Sequence, residues 1–418
     1  MSTHHRTRST ALITAAGASL ALAVSTLAPT TAGAHPDHHD DLDLTPVAEL
    51  MSPRGVDALG YGKTLVTEQD GTFSIVVERD GKPAKVHELG RVSNFLAPAV
   101  AAGPRHTVWL LTTIGGGPEE ENGAHRAPLS KLRTANGVVP NGEPEHLPQT
   151  LFKWKPGWPH PKPVADIAAY QQTDPDPYDQ EDFPEDSNPF GLAALKDGSV
   201  LVADAAGNDL LRVWPRSPRA YKKHGNPKIV TVARLKPRLV ETPEGLPGDD
   251  FPPAGTPILS EAVATSITVG RDGYWYVGEL RGFPATEGKS QVWRIRPGVK
   301  NAVCDPERPW RNWKCKRFAD GLTSIVDLAT TKHGVLALSL SQLGWLKWEL
   351  GVPGSEIGGL FHIRYWGKHG HGHGPRIQEL LAGMLPNPGG VDATRKAVYI
   401  TAPIFGPGFL WKVTHDHD

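Results

Sequence analysis

Short apolar runs separated by turn residues recur along the chain. The clearest unit extends from Asn188 to Trp214. It holds an apolar run before the dipeptide Asp197-Gly198, a Val- and Leu-rich run that ends at Asp204, and a third run after the turn Gly207-Asn208. Runs of this length and composition, bounded by Asp-Gly and Gly-Asn, are typical of antiparallel strands joined by hairpins. The unit therefore predicts three consecutive β-strands.

The same unit occurs in five further copies. They begin at Arg54, Asn94, Ser266, Ser324 and Gly390. Apolar runs between copies predict a fourth, outer strand: Lys85–Leu89, Pro163–Ile167, Ile229–Leu235 and Lys316–Phe318. Four antiparallel strands repeated six times predict an all-β fold, a six-bladed β-propeller. A seven-bladed ring with one degenerate blade and a pair of β-sandwiches are the alternatives.

The sixth copy has no outer strand after it. The segment Leu44–Leu50, near the start of the chain, has the pattern of the missing strand. We predict that it pairs beside Phe409–Val413 and closes the ring, because this pairing hides two exposed sheet edges. The propeller is then expected to span residues 43–414.

The first residues have the pattern of an export signal. Basic residues around Arg6 precede an apolar stretch from Ala11 to about Leu27, and Ala32-Gly33-Ala34 is a small-x-small cleavage pattern. We predict a signal peptide over residues 1–34, a mature chain of 418 − 34 = 384 residues, and a secreted, extracellular protein. An uncleaved N-terminal anchor is the alternative. The rest of the chain has no apolar run long enough for a membrane span.

Charge and cysteine content narrow the picture further. The net charge of −1 gives no global field that favours nucleic acid. We therefore expect a small molecule or an extracellular protein as the partner, and no nucleic acid. Cys304 and Cys315 are the two cysteines, and an oxidising compartment favours a disulfide between them. Two buried free thiols are the alternative.

Four segments are longer than hairpin loops require: 115–150, 171–186, 240–261 and 343–358. Long loops on a rigid scaffold often carry function. The segment from Asp174 to Asp182 is strongly acidic. It is interpreted either as a solvated loop or as a calcium-binding loop.

The motifs Ser187–Gly191 and Val202–Leu211, with Pro388–Gly390 and Gly408–Trp411, carry a family resemblance. In them the chain resembles the ScyD/ScyE family, exported propeller-like proteins named from members encoded beside scytonemin-pigment biosynthesis genes. More distantly, the blades resemble those of NHL-type, gluconolactonase-like and streptogramin-lyase-like propellers. The resemblance implies a secreted propeller but assigns no activity, because one fold hosts many functions.

Polar residues at the starts of first strands and after second strands are expected to lie around one mouth of the central channel. The candidates are Glu68, Asn94, Asn188, Asp204, Asn208, Glu279 and Asn387, with Ser266 and Ser324. Converging carboxylates and amides suit a hard cation such as calcium. The alternative is that these side chains only cap backbone amides in tight turns.

A second set consists of Asp57, Asp327 and Asp392, each following Val at the same place in a first strand. Their blades are neighbours in a closed ring, so we expect three carboxylates along one channel wall. In a gluconolactonase-like enzyme, Glu68, Asn188 and Asp392 would serve as metal ligands and general base. A water-filled polar channel is the alternative.

Histidines cluster at both chain ends. The tails, residues 35–42 and 415–418, contain His35, His38, His39, His415 and His417, and residues 368–373 form a further His-rich run. If the N-terminal strand closes the last blade, the tails leave the same region and together suit zinc, copper or nickel. Polar tails with only incidental metal affinity are the alternative.

Two functions remain from the sequence. The first is a secreted binding or scaffold protein of the ScyD/ScyE family. The second is a metal-dependent hydrolase or lyase with calcium or zinc that acts on a small molecule at the channel mouth. No nucleophile motif of the Gly-x-Ser-x-Gly kind favours the second, so whether the protein is an enzyme stays open.

Overall fold

The computed structural model describes residues 42–92, 96–113, 147–248, 250–365 and 375–415. Strands and helices are numbered in chain order. β1 is Leu42–Met51. The first sheet contains β2 (Val56–Gly60), β3 (Lys63–Thr67), β4 (Thr72–Arg79) and β5 (Lys82–Arg91). The second contains β6 (Ala99–Gly103), β7 (Thr107–Leu111), β8 (Thr150–Trp154) and β9 (Lys162–Asp166). The third contains β10 (Pro189–Ala194), β11 (Val200–Asp204), β12 (Asp209–Trp214), β13 (Lys228–Leu235) and, added at its edge, β19 (Ala302–Cys304).

The fourth sheet contains β16 (Ala264–Val269), β17 (Trp275–Glu279), β18 (Ser290–Ile295) and β20 (Cys315–Leu322). The fifth contains β21 (Ile325–Thr330), β22 (Gly334–Ser339), β23 (Gly359–Arg364) and β24 (Ile377–Leu380). The sixth contains β25 (Gly390–Ala393), β26 (Val398–Ala402), β27 (Pro407–His415) and β1. A separate hairpin joins β14 (Arg238–Glu241) to β15 (Pro257–Ser260). Within the described ranges, the short helices are α1 (Ile167–Gln171), α2 (Pro218–His224) and α3 (Trp345–Glu349).

The six first strands, β2, β6, β10, β16, β21 and β25, contact one another in a ring. Each is followed by a second and a third strand that continue the antiparallel sheet and lie progressively farther from the ring axis. This confirms the six-bladed β-propeller, and the described residues form neither a seventh blade nor a pair of sandwiches. The apolar runs become buried because they pack between neighbouring blades, where Tyr276, Trp293 and Phe73 are among the largest fully buried side chains.

The N-terminal strand β1 lies at the outer edge of the sixth sheet. It pairs antiparallel with β27, with Leu44 opposite Val413 and Leu50 opposite Gly408. A register shift between Pro46 and Ala48 interrupts the ladder. Proline is tolerated here because β1 is an edge strand. Whether this strand is what holds the ring shut stays a prediction.

The disulfide between Cys304 and Cys315 is confirmed, and it links two sheets. Cys304 ends β19, which pairs in parallel with β13 of the third blade, while Cys315 begins β20 of the fourth blade. The sequence predicted the bond but not the short strand that carries Cys304 across to the neighbouring blade. A loop of this length contributes about 2–3 kcal/mol to stability in the chain-entropy model.

Candidate functional site: the loop face and the channel

The strand order divides the connections of the propeller between two faces. Because the strands within a blade alternate in direction, connections into each first strand and between second and third strands share one face, here called the loop face. The long segments 172–188, 236–263 and 340–358 all belong to it. Connections between first and second strands and between third and fourth strands lie on the opposite face, called the turn face. Three of the four insertions noted in the sequence thus lie on the loop face, and most of the fourth lies outside the described residues.

Asp204, one of the predicted mouth residues, is fully buried at the end of β11. Its Oδ1 accepts hydrogen bonds from the backbone N–H of Asn188 (2.6 Å) and of Gly207 (3.2 Å). Its Oδ2 accepts from Ser187 Oγ (2.6 Å) and Gln171 Nε2 (3.4 Å). Burial raises the pKa of Asp204, and these hydrogen bonds oppose the rise. With four donors around its two oxygens, this carboxylate organises the turn.

Asp209 faces Asp204 across the β11–β12 pair and was missed from the sequence. It is buried, and its Oδ1 has no hydrogen-bond partner among the described residues. Burial, followed by the charge of Asp204, raises the pKa of Asp209 well above its usual range. Each of these two adjacent buried carboxylates therefore disfavours the ionised form of the other.

Asn208 connects the third blade to two other parts of the loop face. Its backbone adopts a left-handed conformation, with φ of 48°. Its Nδ2 donates to Asp176 Oδ2 (3.0 Å), and its Oδ1 accepts from the backbone N–H of Val263 (2.7 Å). The side chain therefore fixes the acidic loop and the entry to the fourth blade.

Glu279, at the end of β17, lies in a buried polar cluster. It forms an ion pair with Arg281, and both side chains are almost completely buried. Its Oε1 accepts from Trp293 Nε1 (2.5 Å), and its Oε2 accepts from the backbone N–H of Gln291 (3.2 Å). Burial raises the pKa of Glu279 and lowers that of Arg281, and the mutual attraction of the two charges opposes both shifts.

The other predicted mouth residues have separate surroundings. Glu68 Oε1 accepts from the backbone N–H of Met51 (2.7 Å), and Asn188 Oδ1 accepts from Thr113 Oγ1. The buried Asn387 Oδ1 and Ser266 Oγ have no hydrogen-bond partner within the structure described. Ser324 Oγ accepts from the backbone N–H of Trp345 (3.0 Å), and Asn94 lies outside the described residues. The carboxylates of Glu68, Asp204 and Glu279 thus have different partners and do not form one cluster.

The three channel aspartates each connect one blade to the next. Asp57 Oδ2 accepts from Ala102 N–H (2.7 Å), and Asp392 Oδ2 accepts from Ala58 N–H (2.7 Å). Asp327 Oδ2 accepts from Val391 N–H (2.8 Å). These contacts run from the fifth blade to the sixth, from the sixth to the first, and from the first to the second. Each carboxylate therefore joins two first strands on one side of the channel.

Burial dominates the ionisation of these aspartates. It raises the pKa of Asp57 and of Asp327 to about 6, and backbone hydrogen bonds oppose the rise. The pKa of Asp392 lies well above its usual range, because burial and then the charge of Asp57 disfavour its anion. The side chains keep partial contact with water because they line the channel, but protein surrounds them closely, so the loss of solvation outweighs that contact.

The channel encloses about 220 Å³ and is closed at the loop face by a residue missed from the sequence. Arg54 donates from Nη1 to the carbonyl of Ala97 (2.9 Å) and from Nη2 to the carbonyl of Phe190. Burial lowers the pKa of Arg54 to about 10, and the charge of Asp327 opposes this shift. Leu192 and Ile267 line the channel on the third and fourth blades, so the acidic wall faces an apolar one.

The acidic loop uses its carboxylates to hold itself together. Asp174 forms an ion pair with Arg234 (2.5 Å), and its Oδ2 accepts from Tyr170 (2.9 Å). Asp176 Oδ1 accepts from Tyr178 N–H (2.9 Å), and Asp179 Oδ2 accepts from Phe183 N–H (3.0 Å). These contacts favour a structural use of the acidic groups over calcium binding.

Metal sites were predicted with the carboxylates and with the tails. Across the described ranges, no group of three or more His, Cys, Asp or Glu side chains is arranged to hold a metal ion. His35, His38, His39 and His417 and the run 368–373 lie outside those ranges. His415 ends β27, with its backbone opposite Leu42. A tail metal site therefore stays a prediction.

The helices in the described part of the chain are not long and apolar enough to cross a membrane.

Comparisons with known proteins concern the fold. No protein-family model matches the chain, and no curated protein matches it. It is similar to the PQQ-bound aldose sugar dehydrogenase of Streptomyces coelicolor, with 13% identity, a TM-score of 0.46, and coverage of 90% of this chain and 99% of that one. The chain is also similar to a putative glucose dehydrogenase of Thermus thermophilus, with 14% identity, a TM-score of 0.47, and coverage of 89% of this chain and 99% of that one. Its similarity to the virginiamycin B lyase of Staphylococcus aureus has 12% identity, a TM-score of 0.41, and coverage of 90% of this chain and 99% of that one. Likeness at this level carries no activity to this chain.

Proposed function

We propose that this protein is a secreted binding or scaffold protein of the ScyD/ScyE family that presents its loop face to a partner. The observation that carries the proposal is the placement of the long connections on one face of the disc. Binding sites on rigid scaffolds are commonly built from such clustered loops. The signal-peptide pattern, the disulfide and the family motifs support secretion and membership of the family.

The loops of this face are tied to one another, which suits a preformed binding surface. Trp345 Nε1 donates to the carbonyl of Arg281 (2.7 Å), which joins the loops of the fifth and fourth blades. Gln180 N–H donates to Glu261 Oε1 (2.8 Å), which joins the acidic loop to the segment before the fourth blade. A surface ordered before binding loses less conformational entropy when a partner arrives.

Site-specific photo-crosslinking tests the loop face. A benzophenone amino acid replaces Phe183, which is 67% exposed on the acidic loop, or Tyr61, which is fully exposed on the turn face of the first blade. Each purified variant is mixed with the culture medium and the cell envelope of the producing organism. We expect a discrete crosslinked product from position 183 alone, and competition by excess unmodified protein. Equal products from both positions, or none from position 183, would overturn the proposal.

Secretion has its own test. The mass of the protein recovered from the medium is expected to correspond to a chain that begins at His35. Recovery of only the 418-residue chain from the cytoplasm would contradict secretion without bearing on the crosslinking result.

A further inference from the structure

The turn face carries three depressions that adjoin one another. The first lies between the second and third blades and holds Lys196 and Asp197. The same two residues line a second depression, between the third and fourth blades, which also holds Arg271. Arg271 lines a third depression, which continues over the fifth and sixth blades. Because successive depressions share wall residues, they adjoin along five of the six blades, and the three together are here called the basic groove.

The lining of the basic groove is strongly cationic. Its ten Lys and Arg side chains are Arg105, Lys153, Lys155, Lys196, Arg212, Arg271, Lys332, Arg364, Arg395 and Lys396. The single carboxylate of the described lining, Asp197, is already paired with Arg212 (2.6 Å). Asp272, beside Arg271 in the chain, is likewise paired with Arg294 (2.9 Å). The groove therefore holds many positive charges that no carboxylate of its described lining balances.

Lys153 and Lys155 line the depression between the second and third blades and show this excess of positive charge. Lys153 lies over the Trp109 ring, with Nζ 5.1 Å from the ring centre. Burial and then the charge of Lys155 lower the pKa of Lys153. Neither lysine forms an ion pair with another described residue. Two ammonium groups held together without a counter-charge favour a bound anion.

The charge of the groove is hidden in the overall balance of the chain. The net charge is only −1, and the loop-face segment 172–187 alone contains seven acidic residues and no Lys or Arg. The propeller thus separates negative charge toward the loop face from positive charge along the groove. A long arc of cations fits a chain with repeated negative charges better than one small anion.

We propose that the basic groove binds a linear acidic polysaccharide, with its sulfate or carboxylate groups on the lysines and arginines. The choice of a glycan rests on the proposed extracellular function. It also rests on the lining, because single-stranded nucleic acid is held by exposed aromatic rings, and Trp109, buried to 2% exposure, is the only Trp, Tyr or Phe in the described lining. Binding is expected to weaken as salt rises.

The test measures binding of fluorescent heparin and of alginate by anisotropy at low and high NaCl. Neutral dextran, a DNA duplex and single-stranded DNA serve as comparison probes. The groove variant is Lys196→Ala/Arg271→Ala, which removes two exposed side chains shared between depressions. The matched control is Lys222→Ala/Lys223→Ala, which removes the same charge from the exposed face of α2, outside the groove.

We expect salt-sensitive binding of heparin or alginate, a loss of about tenfold in the groove variant, and less than about twofold in the control. Equal losses in the two variants, no binding of either polysaccharide, or DNA binding as tight as polysaccharide binding would overturn the proposal. Crosslinking from position 183 is measured on the groove variant as well. If the protein with an unmutated groove binds neither polysaccharide while position 183 still crosslinks, this inference fails and the loop-face function stands. Polysaccharide binding without crosslinking from position 183 removes only the loop-face function.

Discussion

The guanidinium carbon of Arg54 lies 3.6 Å from the centre of the Phe190 ring, and this contact joins the first blade to the third across the channel. The same guanidinium donates to the carbonyls of Ala97 and Phe190. These hydrogen bonds hold the buried arginine in place. Loss of its donors would leave the two carbonyls without partners, which is costly in a buried site. The channel is therefore closed at the loop face by hydrogen bonds as well as by bulk.

Replacing this arginine tests the closure. Arg54→Met keeps a long side chain but removes both donors, so we expect a loss of about 2–4 kcal/mol in the free energy of unfolding, measured in urea. Phe190→Leu keeps the carbonyl and removes only the ring, and a loss of about 1 kcal/mol is expected. Equal losses in the two variants would contradict the role given to the hydrogen bonds.

The channel aspartates predict a pH effect on stability. Because the pKa of Asp57 is raised to about 6 in the folded protein, the folded state binds a proton more tightly than the unfolded state. The stability from this proton is fully present below about pH 4 and is lost as the pH rises through about 6. Asp57→Asn keeps an acceptor for Ala102 N–H, so we expect a flatter stability profile between pH 4 and 7 and a gain of about 1 kcal/mol at pH 7.

Asp57→Ala is the matched comparison, because it removes the charge and the acceptor together. It is expected to be less stable than Asp57→Asn by about 1–2 kcal/mol at every pH in this range. If the free energy of unfolding rises between pH 4 and 7 by the same amount in the wild-type protein and in both variants, these aspartates do not control the pH profile.

Asp204 distinguishes a structural carboxylate from a metal ligand. Asp204→Ala leaves four hydrogen-bond donors without their acceptor, so we expect a loss of about 3 kcal/mol in stability. The calcium and zinc content after dialysis is expected to be the same in the wild-type protein and in this variant. Asp392→Ala is measured in parallel for the channel. A stoichiometric ion that either substitution removes would favour the metal-dependent enzyme instead.

Truncation tests whether β1 holds the ring shut. Removal of residues 1–51 exposes the edge of β27 and takes Leu50 out of the apolar cluster that it forms with Val56 and Leu410. We expect a loss of at least about 3 kcal/mol, or association through the free edge, seen by thermal unfolding and size-exclusion chromatography. Removal of residues 1–41 is the control and should leave the melting temperature unchanged. An unchanged melting temperature after the longer truncation would contradict the prediction.

The sequence predicted the fold well because each blade is a local unit. Hairpin signals such as Asp197-Gly198 and alternating apolar runs lie within about 25 residues of one another, so they can be read along the chain. The short strand Ala302–Cys304 could not be read in this way, because its partner is a strand of the preceding blade. Arg54 was missed for the same reason, since its partners are backbone carbonyls 43 and 136 residues away.

The sequence by itself therefore determined the six repeats and the disulfide, because hairpin spacing and the two cysteines indicate these features. The strand order of the structure placed the long connections on one face. Only the tertiary structure decided how the polar candidates are used. Asp204 and Asp57 are occupied by backbone N–H groups, which carry no residue-specific pattern in the sequence. It also decided where charge accumulates. A net charge of −1 excluded a global field, but the arrangement of the blades brings cations of five consecutive blades together along the turn face. A local field depends on where the charges lie and not only on their sum.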